Sequence, residues 1–222
     1  MPGVLVVPFR HGPFWNFSYL LACEATGEAA VIDPAWDAPR IAEESAKRGL
    51  RITTVLLTHS HSDHANGVAE LVSATGARLF AHEAEANELR AHFTGPFEAV
   101  VHETTQAVGE LRVKSLHTPG HSPGSLSFLV EGRLFAGDTL HVGGVGRPGP
   151  GRDAVESLWE SARSLRALPG ETVLHPGHDE GPSAASTLKH ELARVEALRA
   201  ESYPAFVEAL ERATGRSHRH EA

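Results

Sequence analysis

One short run constrains this chain more than any other part of it: Thr58-His59-Ser60-His61-Ser62-Asp63-His64. The run follows Val55-Leu56-Leu57, an apolar segment that indicates a strand. Alternate side chains of an extended segment point the same way, so the first two histidines and Asp63 are predicted to project together while His64 turns away. Imidazole and carboxylate are ligands of zinc, iron and manganese. The run therefore predicts metal ligands at a strand end, with one ion on the first two histidines and another on Asp63 and His64.

Three later segments repeat this pattern, in which an apolar run leads into a glycine-containing turn with a ligand-type residue. They are Leu116–Ser125, Leu134–Thr139 and Val173–Asp179. Glycine beside a ligand lets the backbone bend sharply and come close to an ion. A single turn of this kind is typical of an ordinary surface loop. Four of them, each placed where a strand should end, indicate one shared metal centre.

Size and charge narrow the classes of function. With 222 residues, of which 41% are hydrophobic, residues 1–222 are predicted to form a single domain with one sizeable core. Lys and Arg number 20 and Asp and Glu number 28, giving a formal net charge of −8 that disfavours binding to nucleic-acid phosphates. Nucleic acid is therefore not an expected partner.

The chain is expected to work in the cytoplasm and without a membrane. Its start, Met1–Val7, lacks the basic residues and the long apolar run of a signal peptide. No segment reaches the roughly 20 apolar residues that span a bilayer. Cys23 is the only cysteine, so no internal disulfide can form, and we expect it to be a small buried hydrophobic residue. The segment Ser217-His218-Arg219-His220 is not assigned to the metal site.

Apolar spacing and turn residues predict strands with helices between them. Strands are predicted at Val4–Pro8, Ser18–Cys23, Ala29–Ile32, Val55–Leu57, Arg78–Ala81, Leu111–Leu116, Ser125–Val130, Leu134–Ala136 and Thr172–Leu174. Helices are predicted at Ile41–Arg48, His64–Thr75, Glu83–His92 and Ala154–Leu168, with a mostly helical C-terminal segment from about Ser183 to Ala213. Strands grouped with helices in this way indicate a layered α/β domain.

Four motifs of this chain resemble those of the metallo-β-lactamase superfamily and occur in the same order as in that family. They are Thr-His-x-His-x-Asp-His, Thr-Pro-Gly-His-Ser-x-Gly, Phe-x-Gly-Asp-Thr and Pro-Gly-His. Within it, the chain is most similar to the branch of glyoxalase II (hydroxyacylglutathione hydrolase) and the persulfide dioxygenases. The resemblance runs from about Asn16 to about Leu188 and includes Val31-Ile32-Asp33-Pro34 and Gly143–Arg147. It implies an αββα sandwich, in which two mixed β-sheets are flanked by helices and the metals lie at one edge.

The resemblance also implies which residues bind two divalent metal ions, expected to be zinc, with iron or manganese as alternatives. The implied ligands are His59, His61 and His121 for the first ion, Asp63, His64 and His178 for the second, and Asp138 as a bridge between them. Histidine ligands need partners that orient them. The candidates for this role are Thr58, Thr118, Thr139 and Asp33.

The implied activity is that of a binuclear metallohydrolase. Two metals about 3.5–4 Å apart can share a hydroxide that attacks a carbonyl, and the expected substrate is a thioester such as a hydroxyacyl-glutathione. Asp63 and Asp138 are the expected catalytic carboxylates. Arg147 is expected to contact an anionic part of the substrate, with His141 in the same pocket. The family usually holds glutathione with basic and tyrosine residues of a longer C-terminal region, for which Lys189, Arg194 and Tyr203 are possible remnants here.

Two other activities remain open. In a persulfide dioxygenase, His59, His121 and Asp138 would hold one iron as a facial triad. The segment Gly146–Gly151 lacks the Thr-Asp-Phe continuation typical of those dioxygenases, which favours the hydrolase. A lactonase or β-lactamase is a weaker alternative, since lactonases of this fold can share all seven ligands. A binding module without activity is disfavoured because no ligand is missing. The sequence does not indicate the oligomeric state, and a homodimer is possible.

Overall fold

Two six-stranded β-sheets form the centre of the molecule, as described by a computed structural model for residues 3–215. The first sheet contains, in spatial order, β1 (Val4–His11), β2 (Asn16–Cys23), β3 (Glu28–Ile32), β4 (Arg51–Leu56), β5 (Arg78–His82) and β6 (Glu98–Val100). Its first three strands pair antiparallel, and β3 to β6 pair parallel. The sheet is therefore mixed, as expected.

The second sheet is built from the later part of the chain. It contains β7 (Thr105–Val108), β8 (Leu111–His117), β9 (Leu126–Val130), β10 (Arg133–Gly137), β13 (Val173–Pro176) and β14 (Ser186–Thr187), in the order β14-β13-β10-β9-β8-β7. A separate hairpin pairs β11 (Leu140–His141) with β12 (Gly144–Val145). Strands β10 and β13 are parallel, whereas the other neighbours in this sheet are antiparallel.

Helices cover the outer face of each sheet. They are α1 (Ala38–Lys47), α2 (Ser62–Ala65), α3 (Val68–Thr75), α4 (Ala86–Leu89), α5 (Ala154–Leu165), α6 (Leu188–Arg194), α7 (Glu196–Arg199) and α8 (Tyr203–Thr214), with a 3₁₀ turn at Glu83–Glu85. None of the helices between residues 3 and 215 combines the length and apolar character that a membrane span requires. The segment Ser217-His218-Arg219-His220 lies outside the described residues.

Strand β2 shows how the layers are held together, because both of its faces are buried. Leu20 and Ala22 pack with α1 and α3 on the outer face of the first sheet. The alternate residues Leu21 and Cys23 pack into the core between the two sheets, together with Phe128 of β9 and other residues of the second sheet. A strand buried on both faces reads as a continuous apolar run. These layers confirm the αββα sandwich, and Cys23 is the buried core residue that we predicted.

Most predicted strands and helices are present, but the bounds of the helices differ. The helices predicted at Ile41–Arg48 and Ala154–Leu168 are α1 and α5, whose ends differ by up to three residues, and the C-terminal segment becomes helical only at Leu188, after β14. The helix expected over His64–Thr75 is divided into α2 and α3 at Asn66 and Gly67. Gly67 donates a backbone hydrogen bond to the carbonyl of Pro34 (3.0 Å), and a Cβ on Gly67 would lie 2.7 Å from that oxygen. The helix expected over Glu83–His92 is a 3₁₀ turn followed by one short helix that ends at Leu89.

The strand directions explain why the four ligand-bearing turns meet. Strands β8, β10 and β13 run in the same direction, so the turns after them leave the same edge of the second sheet. The turn after β4 joins that edge, because the backbone amide of Leu126 donates to the carbonyl of Thr58 (2.8 Å). A second link runs from the amide of Phe17 to the carbonyl of Gly177 (2.8 Å). One edge of the sandwich thus carries all four turns.

Candidate metal centre

The first group of ligand-type side chains contains His59, His61 and His121. The first two follow β4 and the third follows β8. The Nε2 atom of His121 lies 2.9 Å from the Nδ1 atom of His61. One ring nitrogen from each of the three histidines lies within 4.8 Å of the others. The structure therefore brings together the three residues that we expected to hold the first ion.

The second group contains Asp63, His64 and His178. The Nε2 atoms of His64 and His178 are 3.2 Å apart. The Oδ2 atom of Asp63 lies 3.8 Å from the former nitrogen and 3.5 Å from the latter. One donor atom from each of these three residues lies within 4.8 Å of the other two, as in the first group.

The local backbone of the first run differs from our prediction. The extended backbone stops at His61, which precedes the first residue of α2, so Asp63 lies in a helical turn. Helical rotation therefore directs Asp63 and His64 to a different group from His59 and His61. His64 does not turn away from the site, since its side chain is 1% exposed and is directed at His178.

Asp138 lies between the two groups. Its Oδ2 atom is 3.5 Å from Nε2 of His121 and 3.2 Å from Nε2 of His178. Its Oδ1 atom is 3.4 Å from Nε2 of His64. Burial opposes ionisation, but the surrounding histidines, His64 foremost, hold the pKa of Asp138 well below its usual value. An ionised carboxylate thus faces both histidine groups.

The donor set fits divalent metal ions. Among the described residues, Nε2 of His59 and Oδ1 of Asp138 are buried side-chain atoms without a hydrogen-bond partner. Burial, and then the charge of His64, holds the pKa of His59 well below its usual value, so its imidazole is neutral and has a free lone pair for a metal. Although burial lowers it, the hydrogen bond and charge of Asp138 raise the pKa of His178 to about 9, so positive charge is favoured there. The centre therefore binds divalent metal, with nitrogen and oxygen donors that suit zinc, iron or manganese.

In four of the five ligand-type histidines, the Nδ1 atom contacts a neighbouring group that orients the ring. Nδ1 of His64 lies 3.0 Å from Oδ2 of Asp33, and Nδ1 of His59 lies 3.1 Å from Oγ1 of Thr58. Asp33 also accepts hydrogen bonds from the backbone amide and the hydroxyl of Thr58 (2.7 and 2.6 Å). Because its carboxylate is taken up by these contacts, Asp33 orients His64 rather than offering a ligand atom. Asp33 and Thr58 thus have the role that we predicted for them.

The other two orienting partners are backbone carbonyls, which motif reading cannot identify. Nδ1 of His121 contacts the carbonyl of Arg147 (2.9 Å), and Nδ1 of His178 contacts the carbonyl of Phe14 (2.8 Å). Thr118 and Thr139, which we predicted as orienting partners, instead hydrogen-bond to each other through their hydroxyls (3.1 Å). They tie two ligand turns together without contacting a histidine.

Glu85 is a buried carboxylate beside the centre that sequence reasoning missed. It accepts hydrogen bonds from the amide and hydroxyl of Ser60 (2.8 and 2.5 Å), from the hydroxyl of Ser122 (2.7 Å) and from the amide of Gly124 (2.8 Å). Burial opposes ionisation, but these hydrogen bonds lower the pKa of Glu85 below its usual value. Glu85 therefore connects the turn that carries His59 with the turn that follows β8.

Asn16, at the start of β2, is another residue that sequence reasoning missed, and it contacts a ligand-type residue directly. Its Nδ2 donates to Oδ2 of Asp63 (3.0 Å), and its Oδ1 accepts from Nε1 of Trp36 (3.1 Å). Asn16 belongs to the segment that resembles the family, but no spacing rule assigns it this role.

A cavity of about 330 Å³ opens over the two groups. It is lined by Phe14, His61, Asp63, His121, Asp138, His141, Arg147, His178 and Glu180. Arg147 and His141, the two predicted substrate contacts, therefore lie at the cavity, and their contact with substrate stays a prediction.

A larger cavity of about 520 Å³ shares His141, Arg147 and Glu180 with the first and is also lined by Arg194. Lys189 instead pairs with Glu171 (3.5 Å), and Tyr203 packs against the core of the C-terminal helices. Of the three possible remnants of a glutathione site, only Arg194 thus lines a cavity that adjoins the metal centre.

Two curated relatives with the same name cover most of this chain. A curated relative named hydroxyacylglutathione hydrolase, from Rhodospirillum rubrum, is 38% identical over 204 residues, which cover 90% of this chain and 75% of the relative. Another of that name, from Polaromonas sp., is 38% identical over 168 residues, covering 74% of this chain and 62% of the relative. The chain thus matches less than two thirds of the length of the second relative.

Three solved structures share the fold. A metallo-beta-lactamase from Staphylococcus aureus has a TM-score of 0.85 and 30% identity, with 95% of this chain and 67% of that chain covered. ETHE1 from Myxococcus xanthus has a TM-score of 0.82 and 28% identity, with 94% of this chain and 91% of that chain covered. TTHA1623 in a di-iron-bound form has a TM-score of 0.71 and 30% identity, with 85% of this chain and 98% of that chain covered.

The family model described as the Metallo-beta-lactamase superfamily matches residues 12–178, a segment that includes all seven ligand-type residues. The chain therefore belongs to the metallo-β-lactamase superfamily.

Proposed function

We propose that this chain is a metal-dependent hydrolase that cleaves a thioester such as a hydroxyacyl-glutathione to a carboxylic acid and a free thiol. The observation that carries the proposal is the position of Asp138, whose ionised carboxylate faces both histidine groups. Relatives named hydroxyacylglutathione hydrolase support the thioester as substrate.

The proposed roles of the side chains follow from their positions. His59, His61 and His121 would hold one ion, Asp63, His64 and His178 the other, and Asp138 would fix the separation between them. Two divalent ions held there supply an activated water and a Lewis acid for the thioester carbonyl. Asp63 and Asp138 line the cavity and are the proposed catalytic carboxylates.

The outer part of the cavity would bind the rest of the substrate. Arg147 is exposed and lines the cavity together with His141, and it would contact an anionic group of the thiol carrier. Burial lowers the pKa of His141, so its imidazole is neutral and would act as a hydrogen-bonding group rather than as a cation. A cavity of about 330 Å³ suits a small molecule.

We further propose zinc as the bound metal, with iron or manganese as alternatives, because nitrogen and oxygen donors accept all three. The di-iron form of the neighbour TTHA1623 supports iron as one of them. A cytoplasmic location, a small-molecule partner without nucleic acid, and a possible homodimer complete the proposal.

The substrate is tested by incubating the metal-loaded protein with S-lactoylglutathione and following loss of the thioester. We expect turnover that is abolished by a chelator and restored by added metal. Absence of turnover by protein that carries two metal equivalents would contradict this substrate and lead next to lactones and β-lactams.

A mononuclear-iron persulfide dioxygenase is the second candidate, and the similarity to ETHE1 from Myxococcus xanthus is compatible with it. Its ligands would be His59, His121 and Asp138, whose Oδ2 lies 3.5 Å from Nε2 of His121. Oxygen consumption with glutathione persulfide, measured on the iron-containing protein, would favour the dioxygenase over the hydrolase.

A further inference from the structure

Exposed aromatic residues are concentrated beside the metal cavity. The large hydrophobic side chains that are exposed in the described part of the chain are Phe14 (60%), Trp15 (55%), Trp36 (40%) and Val101 (52%). Phe14 lines the cavity, and its ring centroid lies 6.5 Å from that of Trp36. We name Phe14, Trp15 and Trp36 the aromatic rim. Exposed apolar side chains grouped at a cavity mark a binding surface.

The indole of Trp36 is fixed in place. Its Nε1 donates to Oδ1 of Asn16 (3.1 Å), and its backbone amide donates to Oδ1 of Asn66 (2.7 Å). Gly12 leaves room for the ring, since a Cβ there would lie 2.3 Å from Nε1 of Trp36. Trp36 also has a φ of 55°, a left-handed conformation that is unfavourable for a bulky residue. Strain of this kind persists where the surroundings enforce it, often at ligand sites.

Trp15 is held by a similar set of contacts. Its φ is also 55°, and the guanidinium of Arg10 lies 4.9 Å from the centroid of its ring. Arg10 is in turn paired with Asp179 (2.7 Å), whose backbone amide donates to the carbonyl of Trp15 (2.9 Å). The contacts of Trp15 and Trp36 therefore hold the aromatic rim in place, although its side chains are apolar and exposed to solvent.

The cavity has different chemistry on its two sides. The carbonyl of Phe14 is bound to Nδ1 of His178, so the aromatic rim adjoins the second histidine group. The carbonyl of Arg147 is bound to Nδ1 of His121, so a cationic side chain adjoins the first group. A thioester whose thiol carrier is anionic and whose acyl group is apolar would fit the cavity in one orientation. The thiol carrier would lie at Arg147, and the acyl group would lie at the aromatic rim.

We infer that the aromatic rim is the subsite for the acyl group of the substrate, and that it favours acyl groups with an aromatic or bulky apolar side chain over the small lactoyl group. The inference rests on the proposed thioester hydrolase function and names its substrate class. In the reaction, the carbonyl C–S bond breaks, a C–O bond forms to the oxygen of water, and the two water protons are shared between the released acid and thiol. No oxidant or further reactant is needed.

The test compares S-mandeloylglutathione, which carries a phenyl group, with S-lactoylglutathione, which carries a methyl group. Added apolar surface in a hydrophobic site is worth roughly tenfold or more in kcat/KM, so the wild-type metal-loaded protein should favour the mandeloyl thioester by about that factor. Phe14→Ala should bring the ratio of the two kcat/KM values close to one, because kcat/KM should fall more for the mandeloyl thioester than for the lactoyl thioester, while metal content stays at the wild-type value. Phe14→Leu should keep an intermediate ratio.

Val101→Ala is the matched control, because it removes an exposed apolar side chain that does not line the cavity. It should leave the ratio at the wild-type value. A wild-type preference for the lactoyl thioester, or a ratio that Phe14→Ala does not change, would overturn the acyl subsite while leaving thioester hydrolysis intact. A change of oligomeric state in Phe14→Ala, with the ratio unaltered, would assign the aromatic rim to a contact between copies of the chain and would also overturn it.

A binding measurement separates this inference from the proposed function. Mandelate and lactate are titrated into the wild-type protein and Phe14→Ala while tryptophan fluorescence is recorded, which requires no turnover. If mandelate binds to the wild type more tightly than to Phe14→Ala while neither thioester is hydrolysed, the result would support the aromatic subsite. It would also contradict the thioester hydrolase. Equal mandelate binding by both proteins would count against the subsite whatever the activity.

Discussion

At the scale of single residues, the centre depends on charges that compensate one another inside the fold. The side chain of Asp138 is 11% exposed, yet it stays ionised because three histidine nitrogens lie within 3.5 Å of its oxygens. Its removal would take an anionic partner from all three imidazoles at once, although Asp33 and Asp63 would remain beside His64 and Asp63 beside His178. This makes Asp138 the residue whose loss should affect both groups at once.

Asp138→Ala should therefore lose most of the bound metal and reduce thioester turnover by more than about 100-fold, beyond the effect typical of an orienting partner. Metal content per folded chain and kcat/KM are the measurements. Asp153→Ala removes an exposed carboxylate before α5 and serves as the control. Two retained metals with wild-type activity in Asp138→Ala would contradict the bridging role.

His175 illustrates a histidine next to the site that makes no ligand contact. It stacks on Phe135, with ring centroids 4.7 Å apart, and its Nε2 is buried without a hydrogen-bond partner. Burial, and then the charge of Arg133, lowers the pKa of His175 to about 4. In the unfolded chain the pKa is near 6.5. Between these values the unfolded chain binds the extra proton, so this histidine makes stability fall as the pH drops from 6.5 towards 4.

His175→Phe should remove that part of the pH dependence. Between pH 7.5 and pH 4.5, the wild type should lose about 2.5 kcal/mol more of its free energy of unfolding than the variant does, given about 1.4 kcal/mol for each pKa unit. Urea unfolding at both pH values measures it. Parallel changes in the two proteins would show that His175 stays protonatable in the fold.

At the scale of secondary-structure elements, the sequence predicts where strands end better than what lies between them. The apolar runs before Thr58, Asp138 and His178 mark the strand ends to within two residues, because buried strands need continuous apolar residues. The break at Gly67 could not be predicted, since it depends on the carbonyl of Pro34 from another part of the chain. Glu85 was missed for a similar reason: a carboxylate in a polar segment gives no periodic signal, and its burial follows from the neighbouring turns.

Glu85→Gln tests the link between the two turns. An amide can accept hydrogen bonds on one side only, so at least one of the donors on Ser60, Ser122 and Gly124 would lose its partner inside the protein. A buried unsatisfied donor costs roughly 1–3 kcal/mol, and we expect a loss of that size in the free energy of unfolding.

Metal affinity should fall in the same variant, because His59 and His121 are carried by the turns that Glu85 connects. Competition with a chelator measures it separately from activity. Glu88→Gln, an exposed carboxylate on α4, is the matched control and should behave like the wild type. An unchanged chelator midpoint in Glu85→Gln would show that the turns hold the histidines without Glu85.

At the scale of the whole molecule, the order of the strands creates the site. The parallel run of β8, β10 and β13 gathers three ligand turns at one edge, and the hydrogen bond from Leu126 to Thr58 adds the fourth from the other sheet. Spacing predicts that each turn holds a ligand and divides the first run between two ions, whereas only the resemblance to a family assigns His121, Asp138 and His178 to those ions. The substrate side is the least predictable part, because Phe14 and Trp36 contribute through exposure and backbone conformation rather than through a motif.

A binuclear centre is tested most directly by the metal content per chain of protein purified without added metal and without chelators. We predict about two equivalents of divalent metal, whether zinc, manganese or iron, and their joint loss in Asp138→Ala. A single equivalent of iron, retained with full occupancy after His61→Ala or Asp63→Ala, would contradict a binuclear centre and favour the one-iron dioxygenase. Protein without bound metal that still hydrolyses thioesters would contradict the metal-dependent mechanism altogether.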